Sequence, residues 1–268
     1  MGYIIMGYII DRNVLNFWTE KEKRLEGAHL LDLCEEVLKK ARPVWTPFLG
    51  QALRDWLEKI LKREGLAFRS EGGVPEAERV RFLIAHNVEE LAEIPGAVRI
   101  LKVLPQDPRS KLEHRQILGS LLGLGIKREV IGDIRLAEKV CYVAVAQEIL
   151  DFLLSQWDRA GRDLIRTQVV ENEEIPLEKG EERRITVASS RIDAVAAGGF
   201  NVSRSVLQEL IQQGKVKRND LVVVKADLEV KPGDLISCRG YGRIRLIDFS
   251  ETRKGRIAWN IMRFTPHK

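Results

Sequence analysis

The chemistry on offer in the last third of the chain is the binding of phosphate. Between Arg204 and Gln213 the apolar Val206, Leu207, Leu210 and Ile211 share one arc of a helix, and Arg204, Ser205, Gln208 and Gln212 lie beside it. Ser203 stands where a side chain caps that helix, so free backbone amides and the positive end of the dipole sit next to a guanidinium. An earlier helix is expected over Arg191 to Ala197, capped by Ser190, with Asp193 in its first turn and Gly198 and Gly199 ending it. Gly214 stops the second helix, and Lys215, Lys217 and Arg218 lead into a turn at Asn219 and Asp220. A further turn at Pro232, Gly233 and Asp234 precedes a ribbon, Ile236 to Leu246, that displays Arg239, Arg243 and Arg245 around Tyr241. Upstream, Gly119, Gly123 and Gly125 predict close packing or a tight helix exit, and Lys127 and Arg128 just beyond it present a second pair of cations beside Glu129 and Asp133.

Residues that make or break bonds are not arranged to do so. Cys34, Cys141 and Cys238 are scattered, as are His29, His86, His114 and His267, so packed thiols and surface imidazoles are expected, with no metal and no cofactor. No GxxxxGK[ST] loop and no GxSxG elbow occurs, and GLGIKRE (Gly123 to Glu129) lacks dinucleotide spacing.

Charge is divided unevenly over the 268 residues. Residues 1–182 carry 27 Lys+Arg against 31 Asp+Glu, a net of −4, and residues 183–268 carry 17 against 8, a net of +9. A basic module on a mildly acidic body suits a polyanion. A membrane surface would prefer a basic amphipathic helix with large apolar anchors, and this segment is rich in short β-like runs and glycines. No apolar run approaches the roughly 20 residues that cross a bilayer, and no secretory pattern opens the chain, so a cytoplasmic location without membrane insertion is expected. The opening MGYIIMGYII repeats five residues and is assigned no function.

The elements that must position these side chains follow from periodicity. Helical spacing runs from about Asn13 to Lys62, as in Leu30, Leu33, Val37 and Leu38 and then Leu53, Trp56, Leu57, Ile60 and Leu61; Pro43 and Pro47 split it, and Gly65 closes the second helix. Strands are predicted over Arg79 to His86, Val98 to Leu104, Ile131 to Leu136 and Val140 to Ala146, with helices over His114 to Leu122 and Gln147 to Trp157. The fold class is α+β: N-terminal helices over 1–64, a ferredoxin/RRM-like middle domain over 65–176, and a small domain over 183–268 with a C-terminal β extension. Acidic Glu171 to Glu182 reads as a linker.

Ordered motifs in the terminal domain, RIDAV (Arg191 to Val195), SRS (Ser203 to Ser205), KVKRN (Lys215 to Asn219) and KPGD (Lys231 to Asp234), resemble the S-four RNA-binding domain, an αL motif in which two helices and a basic hairpin grip structured RNA by shape and backbone. The resemblance implies contact by Arg191, Ser203, Arg204, Ser205, Gln208, Lys215 and Lys217, joined on the ribbon by Arg239 and Arg243. Two positions depart from that pattern: Arg218 stands where an apolar residue is usual, and Asp220 where glycine commonly gives the tight turn. HRQILGSLLGLGIKREVIGDI (His114 to Ile134), RPVWTPFL (Arg42 to Leu49) and EGGVPEAERVR (Glu71 to Arg81) are similar to the YlmH (RqcP-like) family over roughly residues 20 to 264; by their charge and place beyond the helix exit, Lys127 and Arg128 read either as a second RNA contact or as a solvated turn.

Family resemblance implies a non-catalytic partner of large-subunit ribosomal RNA and tRNA on the large ribosomal subunit. There it would serve ribosome-associated quality control, steadying peptidyl-tRNA while a factor that recruits alanyl-tRNA extends the stalled chain. The rivals are a pseudouridine synthase, which would need an aspartate motif resembling GRLDxxTxG outside the terminal domain, and a photosystem II assembly factor, the label of cyanobacterial relatives. Replacing Arg204, Lys215 and Lys217 by Glu is expected to abolish RNA binding with little change in melting temperature.

Overall fold

The computed structural model describes residues 9–137, 139–171 and 175–265. Most of the opening repeat, His267 and the middle of the acidic linker lie outside them. The chain divides into two compact units, residues 1–177 and 178–268.

The first unit starts with helix α1 (Lys21–Lys40), which buries Leu30, Leu31, Cys34 and Val37 and ends on left-handed Ala41. After the Pro43 break come strand β1 (Val44–Trp45), helix α2 (Gln51–Glu64) and strand β2 (Ala67–Glu71). Gly65 closes α2 with φ of 69°, a conformation glycine adopts without steric cost. Strand β3 (Arg81–Ala85) is buried along its whole length, and helix α3 (Val88–Glu93) is capped by Asn87.

The sequence placed Arg79 to His86 in the middle sheet, but β3 lies between β1 and β2 in a sheet of its own. Residues on either side of position 64 thus share one sheet. The reason is local: β3 is flanked by strands close in sequence, and its Arg81 closes the join from within.

Strand β4 (Val98–Pro105), helix α4 (His114–Gly123), strands β5 (Ile131–Ala137) and β6 (Val140–Ala146), helix α5 (Leu150–Gln156) and strands β7 (Arg159–Ala160) and β8 (Asp163–Val170) follow. The sheet order β5-β6-β4-β8-β7 is antiparallel throughout, and its first four members have the split βαβ order of ferredoxin-like and RRM-like domains. Leu101, Val103, Val143 and Val145 face Ile117, Leu121 and Leu153 of the helices. The opposite face, usually open in such a domain, carries Phe48, Val74 and Ile175 packed on Ile100, Tyr142 and Ala144. Gly73 makes that cover possible, because a Cβ there would lie 2.5 Å from Ile100 Cδ1.

The second unit is one six-stranded antiparallel sheet with two helices. Strand β9 (Glu181–Val187) leads to helices α6 (Ile192–Phe200) and α7 (Arg204–Gln212), strands β10 (Val216–Arg218), β11 (Leu221–Val222), β12 (Leu235–Cys238), β13 (Gly242–Glu251) and β14 (Ile257–Phe264), in the order β11-β10-β12-β13-β14-β9. Ile192, Val195, Phe200, Leu207 and Ile211 close a core with Val216, Ile236, Ile244, Trp259 and Ile261.

Helix α6 departs from expectation at both ends. Its N-cap is Arg191, without a side-chain cap, while the Ser190 carbonyl accepts from the Val230 amide. Gly198 and Gly199 lie inside the helix, which ends on left-handed Asn201. Gly199 serves packing, since a Cβ there would sit 2.6 Å from Ile244 Cδ1.

Candidate nucleic-acid interface

Asp193, in the first turn of α6, is fully buried and gathers three donors from two helices. Arg191 grips it bidentately, with Nε to Oδ1 and Nη2 to Oδ2 both 3.2 Å. From α7, Arg204 Nη2 reaches Oδ2 at 2.7 Å and Gln208 Nε2 at 3.1 Å, four residues apart and hence on one face. Burial, the largest influence, pushes the Asp193 carboxyl upward, but the hydrogen bonds from Arg191, Arg204 and Gln208 outweigh it and hold the group below the ordinary carboxylate range. The two guanidiniums keep their outer faces in water, with side chains 40% and 52% exposed. A buried carboxylate therefore holds two half-exposed arginines at fixed spacing, a pre-organised cationic rim of the kind an anion would meet.

Ser203 caps α7 as expected, accepting from the Val206 amide at 3.2 Å, and its hydroxyl lies 2.9 Å from that of Ser205. Lys215 and Lys217 are exposed at the start of the hairpin. Pairing of β10 with β12 brings exposed Arg239 to them, its amide donating to the Lys215 carbonyl at 3.0 Å.

The two departures from the family pattern are accommodated. Asn219 and Asp220 take φ of 51° and 69°, the left-handed pair that a two-residue hairpin turn requires and that short polar side chains tolerate. Arg218 turns inward to buried Asp234, Nε to Oδ2 2.8 Å, and Asn219 Nδ2 donates to Asp234 Oδ1 at the same distance. Asp234 thus ties the basic hairpin to the Pro232–Gly233 turn, a role the sequence did not signal.

Arg243 differs from its expected role on the ribbon. It pairs with Glu178, and its guanidinium lies 5.3 Å from the Phe264 ring centroid. Strand register explains this: opposite Phe264 on β14, Arg243 lies where residues 178–180 return to the sheet.

In the first unit the two upstream cations part company. Lys127 is 80% exposed, 3.7 Å from Glu129, whereas Arg128 donates to the carbonyls of Ile131 and Gly132. Gly125 gives the tight exit with φ of 82°, but a Cβ at Gly119 or Gly123 would meet nothing. Those two glycines line an open groove of about 520 Å³ with Arg115 and Arg159 rather than a packed contact.

The three cysteines are buried and free, and burial pushes the Cys34 thiol up to about 12 and raises Cys141 and Cys238. Among the described residues no cluster of His, Cys, Asp or Glu could hold a metal ion, and no helix is long and apolar enough to cross a membrane.

A two-helix motif on a sheet, with a rim of aimed guanidiniums and a basic hairpin, defines an RNA-binding protein. Residues 190–236 match the S4 domain, residues 98–174 the putative RNA-binding domain in YlmH, and residues 22–88 the YlmH N-terminal domain. The chain is 34% identical over 184 residues to the ribosome-associated protein quality control protein P2 of Bacillus subtilis (strain 168), covering 68% of this chain and 71% of that protein. It belongs to the YlmH family. The solved structure of the cell division protein ylmH from Streptococcus pneumoniae overlays 59% of this chain and 98% of its own, with a TM-score of 0.49 and 23% identity.

Proposed function

We propose that this protein is a non-catalytic cytoplasmic factor that binds large-subunit ribosomal RNA and tRNA in ribosome-associated quality control, supporting alanine tailing of stalled chains by a partner that recruits alanyl-tRNA. The observation that carries this reading is the Asp193-pinned pair, Arg191 and Arg204, flanked by exposed Lys215, Lys217 and Arg239. Such a surface spends its binding energy on backbone phosphates and shape, which suits holding one tRNA position over another. The name of the Bacillus subtilis relative supports the setting. Asp193 lies in the RIDAV stretch nearest to a pseudouridine synthase motif, and its burial beneath two arginines and a glutamine supports a positioning role over a nucleophilic one.

Arg204 is bonded to buried Asp193, so changing it to Glu would set two carboxylates together and cost stability, unlike the neutral effect expected from the sequence. The test is therefore Lys215→Glu with Lys217→Glu in the full chain. Affinity for purified large-subunit RNA should fall at least about tenfold, the slope of log affinity against log salt should fall by roughly 2, and the melting temperature should hold. Co-migration with large subunits on a sucrose gradient should weaken in parallel. Unchanged affinity, or new pseudouridine in the RNA, would overturn the proposal.

A further inference from the structure

Beyond the residues that match the S4 domain, the chain continues into a second basic hairpin, and this one is built to be rigid. Its loop, Thr252 to Arg256, is closed by the Thr252 hydroxyl, which accepts from the Arg256 amide and donates to the Arg256 carbonyl, both at 3.0 Å. The Thr252 amide reaches the same carbonyl at 2.7 Å. Two arginines lash the hairpin to β9: Arg256 donates to the Thr186 carbonyl and Arg184 to the Ser250 hydroxyl, each at 3.2 Å. At the apex Arg253 and Lys254 are exposed and form no ion pair among the described residues.

An aromatic ring stands on the same strand. The register of β13 against β14 shifts by one residue between Leu246 and Asp248. Because side chains alternate across a strand, that shift places Phe249 opposite Trp259, a position Asp248 would otherwise hold. Phe249 leans on fully buried Trp259, with ring centroids 4.9 Å apart, yet is 48% exposed. The ring is thus braced by its cross-strand neighbour and half open to solvent.

We propose that this hairpin is a second RNA contact, in which Arg253, Lys254 and Arg256 neutralise backbone phosphates and Phe249 stacks on an unpaired base. It rests on the RNA-binding reading above and adds a separate surface to it. Cations beside a supported ring suit nucleotides, which offer a charge and a flat face together. The apex Thr-Arg-Lys-Gly-Arg carries no apolar side chain to insert, which disfavours a lipid surface. Strand register puts Lys217 level with Arg243, and the apex lies ten residues further along β13, so the two basic sites stand roughly 14 Å apart across the strands and roughly 30 Å apart along them. One structured RNA lying across the sheet can engage both basic hairpins, and the second engagement is then intramolecular.

The test titrates full-length protein against purified large-subunit RNA at several salt concentrations. Arg253→Glu with Lys254→Glu should cost about tenfold in affinity and lower the salt slope by roughly 2, with an unchanged melting temperature because both side chains are exposed. Phe249→Leu should cost at least about fivefold with the slope unchanged, and Phe249→Tyr should restore binding, which separates stacking from a packing defect. If the Arg253/Lys254 variant binds like the parent while Lys215→Glu with Lys217→Glu weakens binding, this second contact is wrong and the first stands. If neither double variant changes affinity, the RNA reading fails with it. Binding to phosphatidylserine vesicles that is lost in the Arg253/Lys254 variant while RNA affinity is kept would assign the hairpin to membranes and overturn the proposal.

Discussion

Arg81 and Arg135 in the first unit are 5% and 8% exposed and turn their guanidiniums inward: Arg81 to the carbonyls of Thr46 and Ala97 and, at 2.9 Å, to Glu148, Arg135 to the carbonyls of Pro75 and Glu76. Arg79 does the same for Phe48 and Ile131. In the second unit Arg191 and Arg204 meet a buried carboxylate but leave half of each side chain in water. One residue type therefore staples loops at Arg79, Arg81 and Arg135 and aims charge outward at Arg191 and Arg204. At Arg81 and Arg135 carbonyls within the fold consume the fork, whereas Asp193, at the start of α6, holds one edge of each fork and leaves the rest in water.

The largest way to break this contrast is Arg81→Met. Losing the guanidinium leaves the buried Thr46 carbonyl without that donor and Glu148 without its ion pair, while the Ala97 carbonyl keeps the Gln147 amide, at a cost of about 3 kcal/mol by urea unfolding. RNA affinity measured on the folded protein should stay within about twofold, since that arginine faces inward.

Asp193→Asn sharpens the second half of the comparison. By charge alone it should tighten RNA binding, because the module gains one positive unit. If aimed arginines matter, affinity falls instead by about tenfold, as pre-organisation is lost, and stability falls by about 1–2 kcal/mol, discounted because both guanidiniums keep water. Tighter binding would show that net charge governs. The same carboxylate sets an acid limit: held below its ordinary value, it stabilises the fold at neutral pH, and that contribution disappears as pH falls through the folded-state value. Unfolding between pH ~6 and ~2 should therefore lose stability more steeply in the parent than in Asp193→Asn, mostly below pH ~4.

Lys127→Glu should give the smallest effect, about a threefold loss of RNA affinity with an unchanged melting temperature, as befits one peripheral phosphate contact. Arg128→Ala should instead lower the melting temperature, because its hydrogen bonds close the turn into β5. Equal effects of the two on affinity would return Arg128 to the interface.

Periodicity made most elements legible: both N-terminal helices, the split βαβ order and the pair α6 and α7 follow from spacing and turn residues. Ser203, Lys215, Lys217 and Arg239 reach the surface as their types suggested. What spacing could not reveal was pairing at a distance. Arg243 is captured by Glu178, 65 residues away, and β3 pairs with β1 across α2, both outcomes of tertiary register. Asp193 looked like a helix-start acid because its partners Arg204 and Gln208 belong to the next helix. The Ser190 cap failed because the Ser190 backbone is bridged to Val230, and Gly198 and Gly199 answered a packing demand that sequence alone expresses as a break.

Among the described residues the outer strand β9 pairs with no neighbour except β14, the last strand of the sheet in sequence. During synthesis Glu181–Val187 emerges some seventy residues before Ile257–Phe264, and Trp259 arrives with the latter. A ribosome that stopped short of Ile257 would release a copy with an open sheet edge and a hollow centre. The core beneath α6 and α7 is therefore closed only when β14 joins the sheet, because Trp259 and Ile261 fill it.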